Sequence, residues 1–133
     1  MRLPGACVLV VDDDSLVAFN HSDMLEDLGC QALRADSVAT AFNALKARPF
    51  DALLLDHDLG DGKGWDLFKL LRANSIKCPP AIYLSATMAS TLDQAAALPE
   101  VRATLSKPVS KEVLADALAG ILRSAESQDE RYP

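Results

Sequence analysis

Three short, unbroken apolar runs, Ala6 to Val11, Ala52 to Leu55 and Ala81 to Leu84, limit what this chain can become. Each falls well short of the ~20 apolar residues a membrane helix needs. None shows the polar alternation of a strand with one wet face. A run of this kind is a strand buried on both sides, the situation of a parallel sheet with helices over both faces.

Around these runs the apolar residues change to helical spacing. From Ser15 to Leu28 they fall at Leu16, Phe19, Met24, Leu25 and Leu28, with Asp14 placed to cap the first turn and Gly29 where a helix end often turns left-handed. Gln31 to Arg34 reads as a short second strand. Ser37 reads as the N-cap of a helix carrying Val38, Ala41, Phe42 and Leu45, closed off by Pro49. Gly64 to Ala73 is a third helix, whose Trp65, Phe68 and Leu71 should pack on the sheet, and Met88 to Leu98 is a fourth. Ala103 to Leu105 forms a short fifth strand, and Val113, Leu114, Ala117, Leu118, Ile121 and Leu122 mark the stripe of a last helix.

Five strands alternating with five helices predict a doubly wound α/β fold, a five-stranded parallel sheet with right-handed crossovers. One domain is expected over residues 1–124, with residues 125–133 as a flexible C-terminal tail. No internal repeat and no Pro- or Ser-rich linker points to a second domain.

The net charge of −6 argues against a binder of phosphate backbones, so no direct nucleic-acid partner is expected. Met1 to Gly5 is too short and polar for a signal peptide, and with no membrane-length run the expectation is a cytoplasmic protein without membrane insertion. Cys7, Cys30 and Cys78 are odd in number and lack zinc-ligand spacing, which predicts reduced, mostly buried thiols.

Four of the predicted strands end in polar residues: Asp12 and Asp13 after the first, Asp56 after the third, Ser85 after the fourth, Lys107 after the fifth. In an open α/β sheet the ligand crevice lies at the carboxyl ends of the strands, so these residues can converge. Together they supply a carboxylate nucleophile, metal ligands, a hydroxyl donor and a cation, a set suited to phosphoryl transfer. Asp56 would be the nucleophile. Asp12, Asp13, Asp56 and Asp58 in one pocket would repel one another, and a hard divalent cation relieves that, so Mg²⁺ is the expected metal with Mn²⁺ as a substitute. Lys107 would pair with phosphoryl oxygens as a point charge while the Ser85 hydroxyl donates to one of them. His21 and His57 are expected to face solvent, outside this site.

The segments VLVVDDD, DALLLDHDLGDGKG, AIYLSAT and TLSKP resemble the four signature segments of the receiver domains of two-component response regulators, in the same order and with similar spacing. The resemblance runs from Cys7 to about Leu122. It implies a flavodoxin-like strand order of 2-1-3-4-5, Asp12 and Asp13 as the acidic pair, Asp56 as phosphoacceptor, Ser85 as the switch hydroxyl, and Lys107 as the family's lysine. It further implies that the backbone carbonyl of Asp58 completes the metal shell, and that the Lys107–Pro108 peptide is cis. Its partners would be a histidine kinase or histidine phosphotransfer protein upstream and another protein downstream. Such a chain is no turnover enzyme, although it would catalyse its own phosphorylation and dephosphorylation. Two positions depart from the pattern. Thr104 stands where the family usually has an aromatic residue, three before the lysine, and Gly60 stands where the loop after the phosphoacceptor usually has proline, which predicts a more mobile loop.

Other functions share parts of this residue set. Asp56-His57-Asp58 also resembles the D-x-D of haloacid-dehalogenase-like phosphatases, but those place it near the chain start with an acidic pair near the end, and this chain lacks length for a cap over a small substrate. A passive phosphate sink, or a receiver cut from a hybrid kinase, would carry the same site without a partner readout of its own.

Overall fold

The computed structural model describes residues 3–86 and 89–131, with side chains described to Arg123. In chain order the elements are β1 (Cys7–Val11), α1 (Ser15–Asp27), β2 (Gln31–Ala35), α2 (Val38–Ala47), β3 (Ala52–Asp56), β4 (Asp58–Leu59), β5 (Gly62–Lys63), α3 (Gly64–Ala73), β6 (Ala81–Ser85), α4 (Ala89–Ala96), β7 (Val101–Ser106) and α5 (Lys111–Arg131). The main sheet is parallel throughout, in the order β2-β1-β3-β6-β7. Because β6 and β7 are the fourth and fifth strands of the sequence reading, this is the expected 2-1-3-4-5 arrangement.

Strand alternation divides the apolar residues between two cores. Val8, Val10, Leu54, Ile82 and Leu84 pack with Leu25 of α1 and Leu114 and Leu118 of α5. Their neighbours Leu9, Leu53, Leu55 and Tyr83 pack on the other face with Leu45 of α2, Phe68 and Leu71 of α3, and Ala95 of α4. Fully burying a side chain of this size stabilises the fold by about 1.5–3 kcal/mol. The central strands β1, β3 and β6 are buried along their whole lengths, which is why their sequences are continuous apolar runs.

Local signals set the helix starts. Asp14 Oδ1 accepts from the backbone N–H of Leu16 at 3.0 Å and Val17 at 3.2 Å, and Ser37 Oγ accepts from Thr40 N at 3.0 Å. Gly29 takes φ +92° just past the end of α1.

The structure corrects several expectations. On α1 the buried face is Ala18, His21, Ser22 and Leu25, whereas Leu16 and Phe19 are 68% and 55% exposed. Val113 of α5 is likewise exposed. The last helix continues past Ser124 to Arg131. The expected start of the fourth helix at Met88 lies outside the described residues, and α4 as described stops at Ala96. The stretch after Gly60 is organised: β4 and β5 form a small antiparallel hairpin, and Asp61 reaches across to accept from the first N–H groups of α2, Val38 at 2.8 Å and Ala39 at 3.1 Å. The three cysteines are free thiols, with Cys7 and Cys30 buried and Cys78 partly so.

Candidate functional site

The strands β1, β3, β6 and β7 all run in one direction, so the residues at their carboxyl ends meet at one pole of the sheet. Asp12 and Asp56 are almost fully buried there, and Asp13 is exposed beside them. Carboxylate oxygens of Asp12, Asp13 and Asp56 all lie within 4.8 Å of one another. Lys107 reaches in from the end of β7, its Nζ 2.6 Å from Asp12 Oδ2 and 3.0 Å from Asp56 Oδ1. The Lys107–Pro108 peptide that follows is cis.

Backbone hydrogen bonds tie the strand ends together. Lys107 N donates to Ser85 O at 3.0 Å, and His57 N donates to Leu84 O at 2.8 Å. Ser85 is buried at the end of β6. A methyl group on Gly64 would sit 2.5 Å from Asp56 O and 2.9 Å from the Tyr83 hydroxyl, so close packing there requires glycine.

Burial dominates the electrostatics. Desolvation pushes the Asp56 carboxyl up to about 6, although its contact with Lys107 works in the opposite direction. Burial alone would lower the Lys107 ammonium, but hydrogen bonds and charge from Asp12 and Asp56 outweigh it and hold the group above its ordinary value. Lys107 is therefore a fixed cation serving two carboxylates. Three hard carboxylate donors, two of them buried, fit a hard divalent cation such as Mg²⁺.

Asp58 stands apart from this cluster. Its side chain is half exposed and accepts from Lys63 Nζ at 2.9 Å across the β4–β5 hairpin, and that hydrogen bond lowers its pKa. The Lys63 partner could have been suspected only from a hairpin reading of the Asp61-Gly62 stretch.

Both histidines depart from expectation, being buried rather than solvated. His57 Nδ1 lies 2.7 Å from the Tyr83 hydroxyl, which also accepts from Trp65 N at 3.0 Å. The Trp65 and Tyr83 rings are stacked with centroids 6.1 Å apart, and the His57 ring meets Trp65 edge-on at 4.7 Å. Tyr83 pairs in register with Thr104, so an aromatic side chain occupies the neighbouring strand at the level where Thr104 replaces one. His21 packs on the opposite face of the sheet, its Nδ1 without a hydrogen-bond partner among the described residues. Its burial lowers its pKa, as does the charge of Lys107.

The family model for the response regulator receiver domain matches residues 8–119. The sensory/regulatory protein RpfC of Xanthomonas campestris is 28% identical over 90% of this chain, and the sensor protein TorS of Escherichia coli is 29% identical over 98% of it. The chain spans only 17% of the first of these and 14% of the second. The solved receiver domain (CheY-like) of a Methylobacillus flagellatus response regulator superposes with a TM-score of 0.74 at 28% identity, covering 88% of this chain and 98% of that one.

Proposed function

The chain belongs to the response regulator receiver domain family, and from that premise we propose that it accepts a phosphoryl group on Asp56 from a histidine kinase or histidine phosphotransfer protein and signals through altered protein binding. The observation that carries this reading is Lys107, whose ammonium lies between the buried carboxylates of Asp12 and Asp56 at the mouth of an acidic cluster.

In this reading Asp12, Asp13, Asp56 and the backbone carbonyl of Asp58 hold Mg²⁺, or Mn²⁺ in its place. The metal supplies charge neutralisation for the phosphoryl oxygens. A carboxylate oxygen of Asp56 attacks phosphorus in line, the bond from phosphorus to the donor nitrogen breaks, and the donor histidine leaves with that electron pair. Lys107 then exchanges its Asp56 contact for a phosphoryl oxygen, and the Ser85 hydroxyl donates to another. The domain would catalyse its own phosphorylation and dephosphorylation but would not turn over an outside substrate. The exposed Leu16 and Phe19, close in sequence to the acidic pair, offer an apolar contact for a docking phosphodonor.

The length of the relatives favours a second reading for the whole protein, that this receiver serves a longer sensor protein, because RpfC and TorS are each several times longer than the matched region. Among the described residues no helix is long and apolar enough to cross a membrane.

The test is incubation with Mg²⁺ and acetyl phosphate, followed by intact mass, for the native chain and Asp56→Asn. A single added phosphoryl group, lost in the variant, is expected. An unmodified native chain that also gives no amide shift with beryllofluoride would leave a receiver-shaped binding module without the chemistry.

A further inference from the structure

At the pole of the sheet opposite the acid cluster, the loops that lead into β3, β6 and β7 enclose an open hollow of about 660 Å³. Its walls are apolar and largely proline: Pro49, Phe50, Ile76, Pro79, Pro80 and Pro99. These side chains give an incoming segment apolar surface to pack on. Four cations, Arg48, Arg72, Lys77 and Arg102, line the hollow with only two acids, Asp51 and Glu100.

Glu100 is charge-paired, while Asp51 keeps its charge and bonds only to a backbone N–H, so the cations outnumber the acids four to two. Glu100 is held by Arg72, whose Nε donates to it at 2.6 Å, and Asp51 Oδ2 accepts from Cys7 N at 2.8 Å. The remaining three cations have no carboxylate partner among the described residues. The Arg48 guanidinium lies 5.4 Å from the Phe50 ring centroid and donates to Cys7 Sγ, while Lys77 and Arg102 are exposed. In a chain of net charge −6 this concentration of unpaired positive charge is local and opposes the overall field.

We propose that this hollow docks an acidic segment of a partner protein in extended form, its carboxylates spread over Arg48, Lys77 and Arg102 and its apolar side chains on the proline walls. A free inorganic anion gains little here, because Lys77 and Arg102 are exposed and exposed charges are screened by salt. An anionic bilayer is disfavoured, since the lining lies in a recess and the net charge of the molecule is −6. A chain bearing several carboxylates can use each cation in turn and also pack its apolar side chains on the proline-rich lining. Because the hollow lies at the opposite pole, a docked segment would leave the acid cluster open, making it a tether independent of the phosphorylation state.

The probe is a fluorescein-labelled peptide of about twelve residues, alternating Glu with Leu and Phe, titrated with the full chain and followed by anisotropy. Saturable binding that weakens as salt rises is expected, with amide shifts at Phe50, Ile76, Lys77 and Arg102. Lys77→Glu/Arg102→Glu should weaken binding about tenfold or more while still accepting a phosphoryl group from acetyl phosphate as the native chain does, so this test and that of the phosphoacceptor fail independently. Should the double reversal lower thermal stability, Lys77→Gln/Arg102→Gln serves in its place. Absence of saturable binding, unchanged affinity in both variants, equal displacement by millimolar inorganic phosphate, or binding to phosphatidylglycerol vesicles in place of the peptide would each overturn the proposal.

Discussion

Replacing Asp56 by asparagine should make the metal-free domain more stable at neutral pH. Burial raises the Asp56 carboxyl from 3.8 to about 6, so in the unfolded chain it ionises more readily than in the folded one. Between those two values the folded state binds more protons, and stability falls as pH rises through the window. A shift of roughly two pH units corresponds to about 3 kcal/mol, the full penalty being present above about pH 7 and shrinking to about 1 kcal/mol near pH 4.5. Asparagine keeps the shape of the protonated acid, carries no charge at any pH, and its carbonyl can still accept from Lys107. The expected result in EDTA is a gain of about 2–3 kcal/mol for Asp56→Asn at about pH 7.5 and about 1 kcal/mol at about pH 4.5. Urea unfolding followed by circular dichroism measures both. Saturating Mg²⁺ should stabilise the native chain by mass action and the variant much less, closing the gap. A variant less stable than the native chain at neutral pH, or a gain that is the same at both pH values, would show that Asp56 is not held against a desolvation cost.

Other outcomes are equally specific. His21→Leu removes a buried imidazole with an unpartnered Nδ1 and should stabilise the domain by about 1 kcal/mol near neutrality. Because burial lowers the folded-state pKa of His21 below its ordinary 6.5, the native chain loses stability as pH falls through that value, and the advantage of the variant should widen there in paired thermal melts. Gly64→Ala forces a methyl into the Asp56 carbonyl and the Tyr83 hydroxyl and should cost about 2–4 kcal/mol in the same assay. Asp58→Asn breaks an exposed pair with Lys63 and should change stability by less than about 1 kcal/mol. The same substitution should change the rate of phosphoryl loss about threefold or more if its carboxylate acts on the attacking water, and an identical decay by intact mass would rule that role out.

The strands were legible because burial on both faces leaves a plain mark, as in Val8 to Val11 and Leu53 to Leu55, and the site followed because parallel strands bring Asp12, Asp56, Ser85 and Lys107 to one pole. The α1 face was misread for a physical reason: Leu16 and Phe19 are the larger residues, yet the helix turns Ala18, His21, Ser22 and Leu25 inward. The spacing of those four, three, one and three residues apart, is itself a helical stripe, and would have signalled a buried His21 had polar residues been admitted to it. The β4–β5 hairpin left only the turn residues Gly60 to Gly62 as a mark, because strands of two residues have no period to read, and its anchoring by Asp61 to α2 joins residues 22 or 23 positions apart. The Tyr83–His57 contact spans 26 positions and likewise has no local signature.

Trp65 is the only tryptophan in the chain, and its indole rests against the imidazole of the residue that follows Asp56. Its intrinsic emission is thus a native optical gauge at the chemical end of the sheet. A change in the hydrogen bond between His57 and Tyr83, or in the tilt of either ring, alters the surroundings of the fluorophore directly. Stopped-flow emission on the unmodified protein therefore gives the time course of events beside Asp56 with no dye attached and no residue replaced.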